Sequence, residues 1–500
     1  MKEVLFGRDY EGIQSVKITK DGIVAAEEPD ANVGSFLYNS KWAADLRLSG
    51  MDFTIRKAVD TLEPPGSTNG TYTKRTIPYS ISNNDIFIRN SRFPSLLYDL
   101  PLSDMKTRDL STGRFIGVRF NETLHHYDRR GGNWQTISSW LGWGKDITAS
   151  ASSTYMAYGT YIREDFTGVS VEGRGKQTLV AWNLPGDESP ILDSTPGTAP
   201  EGTPAIMIDN TGVRVAKPGY DVNNITRPTQ LALDTANSPT KIIGAADIEC
   251  PSGLSSYDIG ISIPTDAVAD VFAYQGSTIT FPASPIAVLT ENANQFGVEY
   301  SFSGTSIQFY NPYGPCRVRF MVYAVGTDAP TAGDNDVLRQ FEVGGENVVQ
   351  ILRPGAGENP NFSDIVIDSR WPCIQILKQG YIPVGTGELT HVVDFNGSGC
   401  FPIVKWMTVH GPRGTFWSKG VSPPKINVCG AKKTVWTTKI GGDTTYCEIE
   451  PNRATFYTFR GNPIEMYYAN VQDLDYGIIS VTNDPVPILG LRYYILGIPA

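Results

Sequence analysis

The sequence has little positive charge, no long apolar run and no apolar leader, and each shortage excludes a class of protein. Its 42 Lys and Arg residues are outnumbered by 52 Asp and Glu residues, for a net charge of −10. Because nucleic-acid binding relies on cations that neutralise phosphates, we expect no direct nucleic-acid binding. No stretch reaches the ~18 apolar residues of a membrane-spanning helix, so no membrane span is expected. The first residues, MKEVLFGRDYEG, lack the apolar core of a signal peptide, which predicts synthesis in a cytoplasm.

Metal ligands are also scarce. The chain has only four histidines, and their single cluster is His125-His126-Tyr127-Asp128. Neighbouring residues of a strand point to opposite faces, so this cluster supplies too few ligands for a metal ion. The six cysteines form no CxxC pair, and a reducing cytoplasm favours buried free thiols for them. We therefore expect neither a metal nor another cofactor. The cysteines are Cys250, Cys316, Cys373, Cys400, Cys429 and Cys447.

Catalytic motifs are missing as well, since no GxSxG, HExxH, P-loop or dinucleotide-binding pattern occurs. Two carboxylates far apart in the chain could still form a glycoside-hydrolase site, so a polysaccharide-degrading enzyme stays open as an alternative. The pair Asp187-Glu188 is typical of a loop, and Asp364 and Asp368 belong to a repeated pattern. A catalytic pair has no need to recur, so recurrence indicates a structural role. These observations predict a protein that is not an enzyme.

Glycine, proline and aromatic residues are abundant instead. The 50 Gly and 34 Pro residues interrupt the chain too often for long helices, and 11% aromatic residues favour strands. This composition predicts an all-β, multidomain fold of antiparallel sandwiches or barrels that contains repeated strand–turn–strand modules.

The repeated unit occurs three times. An alternating apolar strand ends in Lys or Arg and is followed by a turn with Gly, twice with Pro before it. After a loop, a second apolar strand ends in Asn or Asp followed by Ser or Thr. A partial fourth copy covers residues 85–94. The predicted turn positions are Gly22, Asn39 and Ser40 in the first copy, Pro218, Gly219, Asp234 and Thr235 in the second, and Pro354, Gly355, Asp368 and Ser369 in the third.

These residue types suit tight turns for known reasons. Proline presets φ and glycine accepts a positive φ, which is the combination that a tight turn needs. Asn or Asp followed by Ser or Thr favours a turn in which the side chains bond to nearby backbone groups. The sequence therefore predicts the same two turns in each copy of the repeat.

The repeats also suggest how the chain is divided. We predict an N-terminal docking module over residues 1–50 and a β-rich domain with a Trp-, Gly- and Ser-rich loop over 51–183. A linker rich in Pro, Gly and acid follows over 184–204. The second module with a β-sandwich covers 205–335, and the third with a C-terminal meander or sandwich covers 336–500.

Turn residues between apolar runs predict hairpins in the second half. One covers residues 301–308, with Gly304 at its tip. Three more are predicted to turn at 396–399, 441–443 and 460–463, and the apolar residues 486–500 are expected to form a buried final strand.

Three tryptophans stand close together in the segment GGNWQTISSWLGWGK, namely Trp134, Trp140 and Trp143. A large exposed ring can bury much apolar area against a partner protein or a glycan. The alternative is a local core cluster, since tryptophan is usually largely buried. If the chain binds a glycan, Trp406, Trp417 and Trp436 are further candidates.

The repeat, together with the opening residues FGRDYEGIQSVKI, resembles tail-associated structural proteins of bacteriophages. The match is best at Lys217-Pro218-Gly219 with Asp221-Val222, followed by Leu233-Asp234-Thr235, and it covers about a quarter of the chain. The first copy has Asp21 in place of proline, and the first and third copies lack the Asp-Val pair.

The resemblance implies a structural component of the virion that is made in the host cytoplasm. The expected place is the tail, as part of its tip, baseplate, collar or fibre. The implied partners are further copies of this chain, as a trimer or hexamer, and other virion proteins. Two alternatives are a receptor-binding protein that attaches to a host surface glycan and a head decoration or fibre protein.

Overall fold

The computed structural model of the chain describes residues 2–41, 97–115, 175–281, 298–411, 417–458 and 488–500, with short gaps inside these ranges. Outside these ranges it describes only the backbone of individual strands. In some of the strands, including β4, β7 to β12, β31, β32, β35 and β36, the side chains lie outside this description.

Strands dominate the part of the chain that the structure describes, and no α-helix occurs there, which confirms the all-β prediction. Helical structure in the described residues is confined to short 3₁₀ turns, and none of it has the length and apolar character needed to cross a membrane. In chain order the strands are β1 (Val4–Arg8), β2 (Gln14–Thr19), β3 (Phe36–Asn39), β4 (Leu48–Ile55), β5 (Ile88–Arg89), β6 (Pro101–Asp109), β7 (Thr123–Asp128), β8 (Asn133–Thr136), β9 (Trp143–Asp146), β10 (Thr154–Met156), β11 (Arg163–Glu164), β12 (Ser170–Val171), β13 (Gly175–Pro185), β14 (Ile206–Asp209), β15 (Gly212–Ala216), β16 (Leu231–Asp234), β17 (Lys241–Cys250), β18 (Gly253–Asp258), β19 (Val268–Tyr274), β20 (Ile279–Phe281), β21 (Glu299–Ser303), β22 (Ser306–Asn311), β23 (Cys316–Ala324), β24 (Leu338–Val343), β25 (Glu346–Leu352), β26 (Ile365–Asp368), β27 (Gln375–Pro383), β28 (Leu389–Asp394), β29 (Cys400–His410), β30 (Trp417–Ser422), β31 (Asn427–Lys432), β32 (Trp436–Ile440), β33 (Thr445–Glu450), β34 (Arg453–Thr458), β35 (Ile464–Tyr467), β36 (Ser480–Asn483) and β37 (Ile488–Pro499).

The last strand, β37, lies inside the largest sheet. It pairs with β27 on one side and with β29 on the other, and all its residues except Leu489 are buried. A strand covered on both faces needs a nearly continuous apolar run, and the C-terminal sequence supplies one. The predicted buried final strand is therefore confirmed.

Six strands between residues 241 and 324 form a β-sandwich. One sheet has the order β17-β23-β19 and the other has the order β18-β22-β21. Phe320 of the first sheet packs on Phe309 and Tyr257 of the second, with ring centroids 5.1 Å and 5.3 Å apart. The hairpin predicted over 301–308 is confirmed as β21 and β22, and Gly304 in its turn has a φ of +60°.

The three hairpins predicted nearer the C-terminus are wrong. Strands lie near the expected positions, but β29 pairs with β30 and β37, β33 with β20 and β34, and β34 with β33 and β28. Both edges of each of these strands are occupied, so none can pair with the neighbour that the turn residues suggested. The turn at 396–399 carries the chain from β28 in one sheet to β29 in another. Turn residues reverse the chain direction, whereas side-chain packing decides which strands pair.

A buried ionic cluster joins three of the sheets. Lys106 of β6 contacts Asp270 of β19 at 2.5 Å, and Lys405 of β29 contacts the same carboxylate at 2.7 Å. Lys405 also contacts Asp104 of β6, and the hydroxyl of Tyr323 donates to Asp270 at 3.3 Å. The cluster therefore connects residues of three predicted segments, 51–183, 205–335 and 336–500.

Candidate functional site

The three copies of the repeat form three small sheets of the same design. Module 1 has the strand order β1-β2-β3, module 2 has β14-β15-β16 and module 3 has β24-β25-β26. All pairings within them are antiparallel. The sequence pattern covered the second and third strand of each module and missed the first. The first strands VLFGR, IMID and LRQFEV are short and alternate weakly, so only their position before each repeat could have revealed them.

The glycine of each repeat has a left-handed backbone. Its φ is +78° at Gly22, +81° at Gly219 and +70° at Gly355. Pro218 and Pro354 come directly before the second and third of these glycines, and Asp21 takes that place in the first module. Each module thus turns at the predicted position with a residue that tolerates positive φ.

The Ser or Thr that ends each repeat bonds to the middle strand in the same way. The hydroxyl oxygens of Ser40, Thr235 and Ser369 accept hydrogen bonds of 3.0, 2.9 and 2.9 Å from backbone N–H groups. The donors are the backbone amides of Val16, Val213 and Val349, in that order. The carbonyl of each valine in turn accepts a hydrogen bond from the backbone amide of the same Ser or Thr.

The residue before this Ser or Thr caps the turn that follows. The side-chain oxygens of Asn39, Asp234 and Asp368 accept from the backbone N–H two residues later, at 3.0, 3.0 and 2.9 Å. This is the side-chain geometry of an Asx-turn, the arrangement for which these residue types are suited.

Two further features recur at equivalent places. The pairing of the middle and third strands shifts register once in each module, after Ile18, Val215 and Ile351. A 3₁₀ turn comes directly before each third strand, at Val33–Ser35, Pro228–Gln230 and Phe362–Asp364. The shared register shift and 3₁₀ turn show that the modules agree in backbone path as well as in sequence pattern.

The three modules pack on one another around a single apolar core, and together they are called here the three-module cluster. Each module contributes buried apolar residues from its middle and third strands. The core consists of Val16, Ile18 and Tyr38, of Val213, Val215 and Leu233, and of Ile351, Val366 and Ile367.

Contacts link every pair of modules. The hydroxyl of Tyr38 in module 1 donates to the carbonyl of Ala232 in module 2 at 3.1 Å. Lys2, beside module 1, contacts Glu346 of module 3 at 3.3 Å. Gly212 of module 2 lies so close to Pro354 of module 3 that a Cβ at this glycine would stand 2.9 Å from the proline ring.

Ion pairs between buried side chains cover the outward face of module 1. Lys17, which points away from the core, is fully buried and contacts Asp9 at 3.1 Å and Asp30 at 2.8 Å. Lys41 contacts the same two carboxylates at 2.6 and 2.7 Å. Burial by itself raises the pKa of Asp9 and Asp30, but the two ammonium groups overcome it and hold both pKa values below the ordinary range.

The outward faces of the other modules differ at the equivalent position. Gln350 of module 3 is buried and contacts Asp368 and Arg339. Arg214 of module 2 is 43% exposed and lies 3.6 Å from Asp234. Of the three equivalent side chains, that of Arg214 in module 2 is therefore the most exposed.

The first strands of modules 2 and 3 expose apolar side chains. Ile208 on β14 is 63% exposed, and Leu338 and Val343 on β24 are 49% and 45% exposed. In the part of the chain that the structure describes, β14 and β24 each pair with a single neighbour, so one edge of each carries no strand. Such an edge, with apolar side chains beside it, can accept a strand or loop of another chain.

Segments before modules 2 and 3 bond to the turns of those modules. The amide of Gly197 donates to Pro218 at 3.2 Å, and the amide of Ala199 donates to Gly219 at 2.9 Å. The amide of Gly333 donates to Gly355 at 3.1 Å. Part of the segment predicted as a linker over 184–204 is thus held against module 2.

The tryptophans proposed as contact residues are placed as follows. Trp134 and Trp143 lie on β8 and β9, and their side chains are outside the described residues, as is all of Trp140. Trp406 is buried, and its indole N–H donates to Thr445 at 3.1 Å. Its candidacy as a glycan contact was wrong, because the ring packs between sheets. The side chains of Trp417 and Trp436 lie outside the described residues.

The described acidic residues that sequence reasoning considered serve as partners of cations and hydroxyls. Asp187 and Glu188 both contact Lys419. Asp364 is fully buried and accepts from Thr331 and Arg353. Within the described ranges, no three His, Cys, Asp or Glu side chains are grouped as metal ligands. The partial repeat over 85–94 lies outside the described residues except for β5.

Replacing Thr235 with valine is expected to destabilise the three-module cluster. Valine keeps the shape but removes the oxygen, so the buried amide of Val213 loses its acceptor. Leaving such a group unpaired costs about 1–3 kcal/mol in the free energy of unfolding. Urea denaturation followed by tryptophan fluorescence measures the change.

Thr390→Val, at an exposed position of β28, is the control and is expected to change stability by less than about 0.5 kcal/mol. Equal effects of the two changes would contradict the assigned role of the hydroxyl.

Comparison with protein-family models, with curated proteins and with solved structures finds no match to this chain.

Proposed function

We propose that this chain is a structural component of a bacteriophage virion, placed in the tail, that acts by assembly with further copies of itself and by docking to other virion proteins. The observation that carries the proposal is the three-module cluster, in which three copies of one design share a core and, within the described residues, β14 and β24 each leave one strand edge without a neighbouring strand. A rigid core with open edges is suited to binding other chains.

The exposed side chains on those edges support the same role. Proteins that stay monomeric usually protect an edge with lysine, proline or a covering loop. Here β14 and β24 carry exposed Ile208, Leu338 and Val343. Burying these side chains against a second chain would contribute roughly 25 cal/mol for each Å² of apolar surface removed from water.

Native mass spectrometry of the full chain at micromolar concentration is the first test. We expect a trimer or hexamer. The double variant Ile208→Lys with Leu338→Lys is expected to shift the population toward monomer, because two charges would have to be buried at the edges. Val392→Lys is the matched control, since Val392 is 55% exposed on β28 and lies outside the modules.

The second measurement concerns the particle. Phage particles from a culture that carries this gene, purified on a density gradient, are expected to contain the chain in a fixed ratio to the major tail protein. Imaging of those particles with a bound antibody would then locate the chain in the tail tip, baseplate, collar, fibre or head. A chain that remains monomeric and is missing from the purified particles would contradict the proposal.

A further inference from the structure

Two cysteines meet at the end of the β-sandwich where the chain crosses twice between the sheets. The chain leaves β17 after Cys250 and enters β18 at Gly253, and it leaves β22 after Asn311 and enters β23 at Cys316. In the antiparallel pair β17 and β23, Cys250 stands directly opposite Cys316. Both cysteines are free thiols and both are buried.

This placement matches the reach of a disulfide bond. Opposed residues of an antiparallel pair have Cβ atoms about 4.5–5.5 Å apart and Cα atoms about 4.5–5.5 Å apart. Disulfides join residues whose Cα atoms are about 4.4–6.8 Å apart. Disulfides also need Cβ atoms about 3.5–4.5 Å apart, so a bond between the two sulfurs requires side-chain rotation and an approach of the two Cβ atoms by about 1 Å.

Asn311 holds the pair in place. Its side-chain amide donates to the carbonyl of Cys250 at 3.2 Å and to the sulfur of Cys316 at 3.6 Å. The sulfur of Cys250 also lies 3.6 Å from the hydroxyl of Ser255. One buried amide thus contacts both cysteines, and each sulfur has a polar side-chain atom 3.6 Å away.

We propose that Cys250 and Cys316 form a redox site that closes to a cross-strand disulfide when hydrogen peroxide reaches it. The thiolate of Cys250 attacks one oxygen of the peroxide, the O–O bond breaks, and the departing oxygen leaves as water after taking up a proton. The resulting sulfenic acid is attacked by the sulfur of Cys316, the S–O bond breaks, and a second water leaves with the thiol proton. Two thiols are oxidised and one molecule of hydrogen peroxide is reduced.

The acidities of the thiols fit these roles. The hydrogen bond from Cys316 holds the pKa of Cys250 below that of an ordinary thiol, which favours the thiolate form of Cys250. The same hydrogen bond, together with burial, raises the pKa of Cys316, so Cys250 is the thiol that reacts first with the peroxide. Burial raises the pKa of Cys400 to about 11 and keeps that of Cys447 far above its ordinary value.

The disulfide would join the two connections between the sheets, from β17 to β18 and from β22 to β23, at one point. In a reducing compartment the thiols stay apart, and outside it the bond forms. The bond would restrict the unfolded chain by closing a long loop, which raises the stability of the folded sandwich. This inference is independent of the proposed role in a virion.

The test uses the full chain, reduced, freed of reductant and treated with hydrogen peroxide at pH 7.5. After denaturation and alkylation of the remaining thiols, we expect two fewer alkylated cysteines and a linked pair of peptides that contain Cys250 and Cys316. The melting temperature of the oxidised chain is expected to exceed that of the reduced chain by several degrees.

Two variants test whether the disulfide joins Cys250 to Cys316. Cys447→Ser should form the same bond, because Cys447 is fully buried and its sulfur bonds only to backbone in the described residues. Cys316→Ser should form none and should instead accumulate a sulfenic acid at Cys250 that dimedone traps. A bridge between other cysteines, or no loss of free thiols in the folded chain, would overturn the proposal, as would equal dimedone labelling of Cys250 and Cys447 in Cys316→Ser.

Discussion

Replacing Asp270 with asparagine is expected to lower the free energy of unfolding by about 3–5 kcal/mol, because it leaves two buried ammonium groups without their shared carboxylate. Lys106 and Lys405 both contact Asp270, and after the change Asp104 would remain as the carboxylate that Lys405 contacts in the described residues. These residues lie on β6, β19 and β29, so the change weakens the junction of three sheets. Urea denaturation of the two proteins at pH 7 measures the difference.

The same carboxylate predicts how stability changes with pH. Burial alone raises the pKa of Asp270, but Lys106 and Lys405 overcome this and lower it to about 2. An unfolded aspartate has a pKa of about 3.9. The contribution of Asp270 to stability is therefore complete above pH 5 and is lost as the pH falls from about 4 toward 2, in total about 2–3 kcal/mol. In the asparagine variant, this part of the fall in the free energy of unfolding at low pH should be missing.

Asp394→Asn is the control for this cluster. Asp394 is also on a strand and also paired, with Arg453 at 2.7 Å, but both side chains are exposed. An exposed ion pair contributes about 0–1 kcal/mol, so this variant should remain close to the parent protein in stability. If both changes had the same small effect, the buried cluster would not be a stabilising junction.

Alanine substitutions at the three repeat glycines are expected to have graded effects. All three glycines have similar positive φ, so each alanine meets the same backbone strain of about 1–2 kcal/mol. A Cβ at Gly22 would meet nothing within 4 Å, and one at Gly355 would lie 3.8 Å from the carbonyl of Gly333. A Cβ at Gly219 would lie 2.0 Å from the carbonyl of Gly197.

Gly219→Ala should therefore be the most damaging of the three. The chain must move the segment at Gly197 or the turn itself, which adds roughly 1–3 kcal/mol to the backbone strain. Gly22→Ala serves as the internal control, because it carries the strain without the close contact. Urea denaturation of the three variants gives the order directly. Equal losses at Gly22 and Gly219 would mean that the segment before module 2 is not held against its turn.

The repeat could be found in the sequence because its turns depend on residue type. Only glycine accepts the positive φ at Gly22, Gly219 and Gly355 without strain, and only short polar side chains can make the bonds at Asp234 and Thr235. Such local requirements recur wherever the same turn recurs. The all-β class was predictable for a similar reason, since frequent Gly and Pro exclude long helices.

Strand pairing was not predictable from the same signals. The turn at Gly397 looks like the tip of a hairpin, yet its amide bonds to the side chain of Asn452, and a Cβ there would meet the carbonyl of Pro451 at 2.1 Å. This glycine allows two connections to approach each other closely. Nothing in the residues around Gly397 reveals a neighbour that lies more than fifty positions away in the chain.

The sequence by itself determined the class of fold, the three repeats and the turn that each makes, because these depend on backbone preferences of single residues and their neighbours. Tertiary structure alone decided that the three modules share one core, that Asp270 is held by two lysines from different sheets, and that Cys250 stands opposite Cys316. These relations depend on how distant segments pack, and packing rewards complementary shape and charge over the whole chain.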